Sequence, residues 1–191
     1  MWFPEVFDRY RVVAVPELLM EYIETGRIKV DKGIHEELTT VHDPCNYGRK
    51  SQKAFGQAYF EEVRWVTQQC CEHFVETHPT RMNNFCCGAG GGAWAMPYDQ
   101  ERIYYGRVKA KQVKDTGAKM VIAPCHNCRD QIMKSLNKEY DLGIEVKYLW
   151  ELVADSLIVE PWSEEEIQKA RELRDDQFER DGQDLSVMIS L

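Results

Sequence analysis

Five cysteines in the pattern C-x40-CC-x37-C-x2-C, at Cys45, Cys86, Cys87, Cys125 and Cys128, constrain this chain more than any other feature. Cys125-His126-Asn127-Cys128 places two thiols at a predicted strand-to-helix turn. That spacing lets both sulfurs face one ion or cluster, and a helix start lowers thiol pKa values through its dipole. Redox dithiols and zinc sites share the spacing, so alone it does not choose among them. Cys86-Cys87 says more. Neighbours in an extended segment point opposite ways, so adjacent thiolates serve a single small ion poorly. They suit a loop bent sharply around a larger object, or sulfurs that serve different irons. Gly88-Ala89-Gly90-Gly91-Gly92 supplies the bend and lets backbone N–H groups approach anionic sulfur. Five thiolates exceed the four that a cubane cluster or a zinc ion takes. Either one cysteine is a spare, or the cluster is an unusual one with a bridging thiolate.

The compartment matters to that argument. Met1-Trp2-Phe3-Pro4-Glu5 lacks the basic stretch and apolar core of a secretion signal, so a cytoplasmic protein is expected. Reducing conditions there favour metal ligands or redox groups over structural crosslinks for seven cysteines, and the odd number agrees. No apolar run approaches the roughly 20 residues that span a bilayer, so any membrane association is expected to go through a partner. A net charge of −8 argues against a general nucleic-acid binder.

Along the chain, Arg11 to Val15 reads as a strand and Pro16 to Thr25 as a helix stopped by Gly26. Leu38 to His42 is a short β-branched strand running into an Asp43-to-Gly48 turn. Ala54 to Cys71 carries apolar residues at helical spacing, and Phe74-Val75 reads as a strand. A second long helix is predicted from Asp99 to Thr116, ended by Gly117. Lys119 to Ala123 is the clearest strand, Pro124-Cys125 opens a helix to Asn137, Ile144 to Val146 is a weak strand, and Leu149 to Ile158 a helix. Ser163-Glu164-Glu165-Glu166 is a capping box that starts a charged helix to Glu179, followed by an apolar Leu185-to-Ile189 end. Strands alternating with long helices indicate an α/β fold: a short, mostly parallel sheet flanked by helices, with the glycine- and cysteine-rich loops at one sheet edge. Residues 1–160 are expected to form the cysteine-rich domain and 161–191 a charged C-terminal helix and tail.

Asp43-Pro44-Cys45, Phe85-Cys86-Cys87-Gly88-Ala89-Gly90-Gly91-Gly92 and Ala123-Pro124-Cys125-His126-Asn127-Cys128 resemble the cysteine-rich CCG domain of heterodisulfide reductases. The resemblance runs from about Val12 to Ile158. Its Cys-His-Asn-Cys stretch is most similar to the heterodisulfide-reductase-like subunit of sulfite-reducing membrane complexes. What the resemblance implies is a [4Fe-4S] cluster, conventional or non-cubane, held by Cys45, Cys86, Cys87, Cys125 and Cys128. It further implies disulfide or heterodisulfide reduction (or formation) in a multisubunit electron-transfer complex. The partners would be redox subunits with further iron–sulfur clusters, a membrane quinone-reactive subunit, and a disulfide or thiol substrate, a small protein being one carrier of it. Some members hold zinc instead. Two departures stand out: a single CCG motif where many members have two, and no ferredoxin-type cysteine run. The chain reads as beginning where the C-terminal half of such relatives would begin.

Other residues carry weaker signals. His126, between two proposed ligands, could give a proton to a leaving thiolate, or simply face solvent. His42 and Asp43 are expected to stabilise the turn through hydrogen bonds to backbone, and Cys70 to be a small core residue. Arg49 and Lys50 read as a solvated pair, able at most to steer an anionic substrate. Trp94, Tyr104 and Tyr105 read as core, or as a shield around a cluster. Two rivals remain beside the oxidoreductase: a zinc- or cluster-stapled interaction module without chemistry of its own, and a metal-free Cys125/Cys128 dithiol.

Overall fold

In the computed structural model, residues 9–174 and 176 are described, and they fall into two compact units that divide between Ile158 and Val159. In the larger unit, β1 (Thr39–Val41), β2 (Met120–Ile122) and β3 (Glu145–Lys147) form a parallel sheet in the order β1-β2-β3. The helices are α1 (Val15–Glu24), α2 (Ser51–Phe55), α3 (Phe60–Cys70), α4 (Asp99–Thr116), α5 (His126–Asp130), α6 (Asn137–Glu139) and α7 (Leu149–Asp155). The α/β class, with a short parallel sheet, is the one expected from the sequence.

β2 shows why the sheet sits centrally. Its Met-Val-Ile run is buried at every position, as a parallel strand covered on both faces must be. Val121 points into one core with Ala110 and Val113 of α4, Ile132, Leu136 and the cysteines Cys87 and Cys128. Met120 and Ile122 point into the other, with Val63 and Val66 of α3 and Leu149 and Leu152 of α7. Cys70 lies fully buried in that second core, as expected.

Three expectations are corrected. Arg11 to Val15 is no strand: Val15 is the first residue of α1, and Val12 is exposed, with no strand paired to it among the described residues. The predicted Ala54-to-Cys71 helix is two helices. Gly56 takes a left-handed conformation (φ 71°) that ends α2, and α3 starts only at Phe60. Phe74 makes an isolated parallel bridge to Thr39 rather than a strand of its own. The long helix α4 spans its predicted residues and is closed by Gly117 at φ 70°.

Glycine matters most where α4 meets the cysteine loop. A Cβ on Gly106 would lie 2.8 Å from the Cys87 carbonyl oxygen and 2.6 Å from Leu136 Cδ2. Gly88, at φ 93°, would put one 2.7 Å from the Arg102 carbonyl. Helix and loop are therefore in backbone contact, with no room for a methyl group. Gly106→Ala is expected to destabilise the fold by about 1–3 kcal/mol, the usual cost of overpacking. Urea denaturation of the variant measures it, and an unchanged midpoint would mean that the helix can move off the loop.

In the smaller unit, residues 164–174 are helical. The predicted capping box forms: Ser163 Oγ accepts from the Glu166 backbone N–H at 3.3 Å, while Glu166 Oε2 accepts from the Ser163 N–H at 2.8 Å. The stretch beyond 176, with the apolar Leu185-to-Ile189 end, lies outside the described residues. Among the described residues no helix is long and apolar enough to cross a membrane.

Candidate metal centre

Each of the three cysteine stretches is delivered by an element end. β1 runs into His42, whose backbone N–H donates to the Ile122 carbonyl at 2.9 Å, so the sheet pairing continues one residue past the strand. β2 runs into Ala123, whose N–H donates to the Lys147 carbonyl at 2.9 Å. Cys45 and Cys125 follow within three residues, at the carboxyl edge where α/β sheets usually bind ligands. Cys86 and Cys87 arrive from the loop pressed against α4.

The five sulfurs meet. Cys45 Sγ lies 3.7 Å from Cys86 Sγ. Cys86, Cys87, Cys128 and Cys125 follow in turn, each close enough to shift its neighbour's ionisation, and the Cys87 and Cys128 sulfurs lie within 4.8 Å of one another. Cys87 and Cys128 are buried, Cys45 and Cys125 half-buried, and Cys86 exposed. The centre is closed at its inner end and open at its outer one.

Packed thiols cannot all ionise, and their pKa values part accordingly. Hydrogen bonds from Cys45 and Cys87, with help from the Gly88 N–H at 3.4 Å, hold Cys86 far below the ordinary thiol range. Cys45, donor to that thiolate and partly desolvated, is driven up. Cys87 is pulled down by Cys128 but raised more by Cys86 and by burial, and ends at about 12. Cys128, donor to Cys125 and Cys87, is pushed well above the usual range. Cys125 falls to about 6, through Cys128 first and then the Cys128 and Asn127 backbone N–H groups at the start of α5. Five thiols so close together carry two low pKa values and three raised ones. A positive centre among them would let the rest ionise, which is the chemistry of a thiolate-held metal.

Surrounding groups supply further polarity. Arg49 donates to Cys45 Sγ at 3.1 Å and to the Asn84 carbonyl at 2.5 Å, so it is part of the site and not a solvated surface group. Lys109 on α4 is fully buried, its ammonium bonded to Asn84 Oδ1 and Gln112 Oε1. Burial lowers its pKa to about 8. Asn84 Nδ2 in turn donates to the Asp43 carbonyl at 2.9 Å. These bonds tie the stretch bearing Cys45 to the stretch bearing Cys86.

His42 departs from expectation. Asp43 does reach backbone, though not that of its own turn: it accepts the Arg81 N–H at 2.9 Å. The His42 ring does not: it is wholly buried, and neither nitrogen has a hydrogen-bond partner among the described residues. One of its nitrogens and the sulfurs of Cys87 and Cys128 lie within 4.8 Å of one another, a possible buried Cys/His metal site. Burial, reinforced by Lys109, pushes the imidazole pKa well down, so the ring is in its neutral, metal-binding form. A lone histidine before a turn gave no sequence signal for this.

His126 stands at the open end, beside Cys125. Its Nδ1 is hydrogen-bonded to the Tyr148 hydroxyl, and Nε2 is 3.9 Å from Asp130 Oδ2. Tyr148 and Trp150 stack with centroids 4.4 Å apart. Tyr104 and Tyr105 are exposed on α4 and so are not core, while Trp94 lies under the Arg102 guanidinium at 4.3 Å.

Residues 39–133 match the cysteine-rich domain family CCG. The Hdr-like menaquinol oxidoreductase iron-sulfur subunit 2 of Archaeoglobus fulgidus is 27% identical over 169 residues, covering 85% of this chain and 29% of that protein. A subunit of the dihydromethanophenazine:CoB–CoM heterodisulfide reductase of Methanosarcina acetivorans is 30% identical over 149 residues, 78% of this chain and 34% of the relative. The EtfAB:quinone oxidoreductase of Syntrophomonas wolfei is 25% identical over 122 residues, 64% of this chain and 16% of the relative. The chain thus spans about a third or less of the length of the curated relatives it matches.

Proposed function

We propose, for a chain that carries a CCG cysteine-rich domain at residues 39–133 and is distantly homologous to iron–sulfur subunits of heterodisulfide reductase and Hdr-like complexes, an iron–sulfur oxidoreductase module that reduces or forms a disulfide. The observation that carries the proposal is the meeting of all five sulfurs at the sheet's carboxyl edge. Cys45, Cys86, Cys87, Cys125 and Cys128 would hold a [4Fe-4S] cluster, cubane or non-cubane. Soft thiolates select such groups, and the donor set fits one. When bound, the cluster supplies single electrons to, or takes them from, a substrate sulfur.

The chain's own residues divide the remaining work. Cys87 and Cys128, buried, would anchor the group, while the exposed side at Cys86 leaves a substrate sulfur room to approach. Arg49 would stabilise anionic sulfur at Cys45. His126, as imidazolium, would deliver its Nε2 proton to the departing thiolate and end as neutral imidazole, with Nδ1–H donating to the Tyr148 hydroxyl and so fixing the ring. His126→Gln is then expected to lower disulfide turnover by about 10²-fold or more, the usual contribution of a positioned acid. Unchanged turnover at equal metal content would make His126 an ordinary surface residue.

The likeness of Cys125-His126-Asn127-Cys128 to the heterodisulfide-reductase-like component of sulfite-reducing membrane complexes belongs to the same proposal. So do a cytoplasmic location, partner subunits with further clusters and a quinone-reactive membrane subunit. So too does a disulfide or thiol substrate.

One observation favours a second reading. Two sulfurs on one tetrahedral ion with bonds of 2.3 Å sit about 3.8 Å apart, and Cys45 and Cys86 are 3.7 Å apart. A zinc ion or small cluster acting only as a staple for an interaction module would also give that spacing. Disulfide reduction by the full chain with an artificial electron donor, measured alongside metal content, separates the two. Turnover with bound iron supports the oxidoreductase, and inert protein holding one zinc supports the staple.

A further inference from the structure

We infer that His42 is a nitrogen ligand of the metal centre, which makes the donor set mixed rather than all-sulfur. This rests on the metal-centre reading above and adds to it a residue outside the cysteine pattern.

The first argument is an unpaid desolvation. His42 is 0% exposed, and both ring nitrogens are without a hydrogen-bond partner among the described residues. A neutral imidazole has one donor nitrogen and one acceptor nitrogen. Leaving both unmet in a dry interior is costly, and native folds rarely do so without a reason. The acceptor nitrogen therefore calls for something other than a side chain, and a metal ion satisfies it.

The second argument is position. The sulfurs of Cys87 and Cys128 share a space of 4.8 Å with one His42 nitrogen. Both are buried, so the three donors form the inner end of the site. The backbone bond from the His42 N–H to Ile122 holds the residue in line with the sheet, one position past β1. Cys128 begins its approach from β2, the strand bonded to β1. The ring therefore reaches the sulfurs from a rigid element, as a ligand must. Asp43, next in sequence, is fixed by Arg64 through two bonds of 2.8 and 3.0 Å, which leaves the backbone at His42 little room to turn.

The chemistry follows from the donor types. Imidazole is less electron-donating than thiolate, and a mixed shell carries less negative charge than one of sulfur alone. Exchanging His for Cys at an iron–sulfur centre raises the reduction potential. A centre in which His42 takes the place of one of the five thiolates would accept an electron more readily than an all-cysteine one in the same pocket.

The test uses the full chain purified without oxygen, grown once on natural-abundance histidine and once on ring-¹⁵N histidine. Pulsed electron paramagnetic resonance of the paramagnetic state should show a nitrogen coupling of ligand strength that changes with the isotope. It should vanish in His42→Phe while metal is retained. The isotope exchange leaves folding untouched, so the result stands even where the variant does not fold. If the bound metal is zinc, X-ray absorption should give a first shell with one nitrogen beside sulfur. An isotope-insensitive spectrum, a coupling too weak for direct ligation, or an all-sulfur shell would overturn His42 as a ligand and leave the five-cysteine centre standing. A protein that binds no metal would overturn both.

Discussion

Cys87→Ala is expected to empty the centre. Cys87 is the middle of the sulfur group, coupled to Cys86 on one side and Cys128 on the other, and it is buried beside His42. Its loss removes an inner donor that solvent cannot replace. Metal affinity should fall by well over the roughly 10–100-fold that changes behind a ligand cost, and the colour and metal content of the purified chain should fall with it. Cys70→Ala is the control. That cysteine is equally buried, but it lies in the other core, with α3 and α7, and its loss should leave metal content unchanged. Metal analysis of both variants after anaerobic purification checks the pair. Equal loss in both would mean that the metal depends on the fold at large and not on these particular sulfurs.

Arg64→Met is expected to cost about 3–5 kcal/mol of folding stability, the usual result of stranding a buried charge. Arg64 and Asp43 are each only 4% exposed in their side chains. The guanidinium bonds both Asp43 oxygens, both Glu76 oxygens and Thr80 Oγ1. This pairing, stronger than the cost of its burial, pushes the arginine pKa above its ordinary value. Methionine fills similar space but leaves the Asp43 carboxylate with the Arg81 N–H alone. The double variant R64M/D43N should recover part of the loss, because the uncompensated charge is gone. Equilibrium denaturation measures both. Because Asp43 is two residues from Cys45, the single variant should also loosen metal binding. A loss under about 1 kcal/mol, the range of a solvated pair, would show that water reaches the two groups.

These two predictions rest on parts of the molecule with different legibility. The cysteine stretches could be placed from sequence because each lies beside an obvious element end: Val41 before His42, Ile122 before Pro124, and the glycine loop before Asp99. Helix α4 was legible at both ends, since Gly117 offers the one left-handed residue that closes it. The sheet was legible at β2, where a short apolar run could only be a doubly buried strand.

What stayed hidden was the polar scaffold behind the cysteines. Arg64 lies inside α3 among the apolar residues that mark the helix, and its partners Asp43, Glu76 and Thr80 come from elsewhere in the chain. Arg49 and Lys109 have the same character: long cations whose heads turn inward to Cys45 and Asn84. Sequence periodicity registers apolar faces and is blind to a charge paired within the interior. His42 was opaque for the opposite reason, since its significance lies in the hydrogen bonds it lacks. The error at Ala54 to Cys71 was one of continuity. Apolar spacing runs across both helices in phase, and Gly56 breaks the chain while leaving the pattern nearly intact.

The central claim is that five sulfurs from three distant stretches enclose one redox-active metal group. Iron, zinc and acid-labile sulfide determined on the full chain, purified anaerobically, test it most directly. The account predicts about four irons per chain with matching sulfide, and a low-temperature paramagnetic signal on oxidation or reduction. Iron-free protein that holds a single zinc ion, or no metal at all, would contradict it.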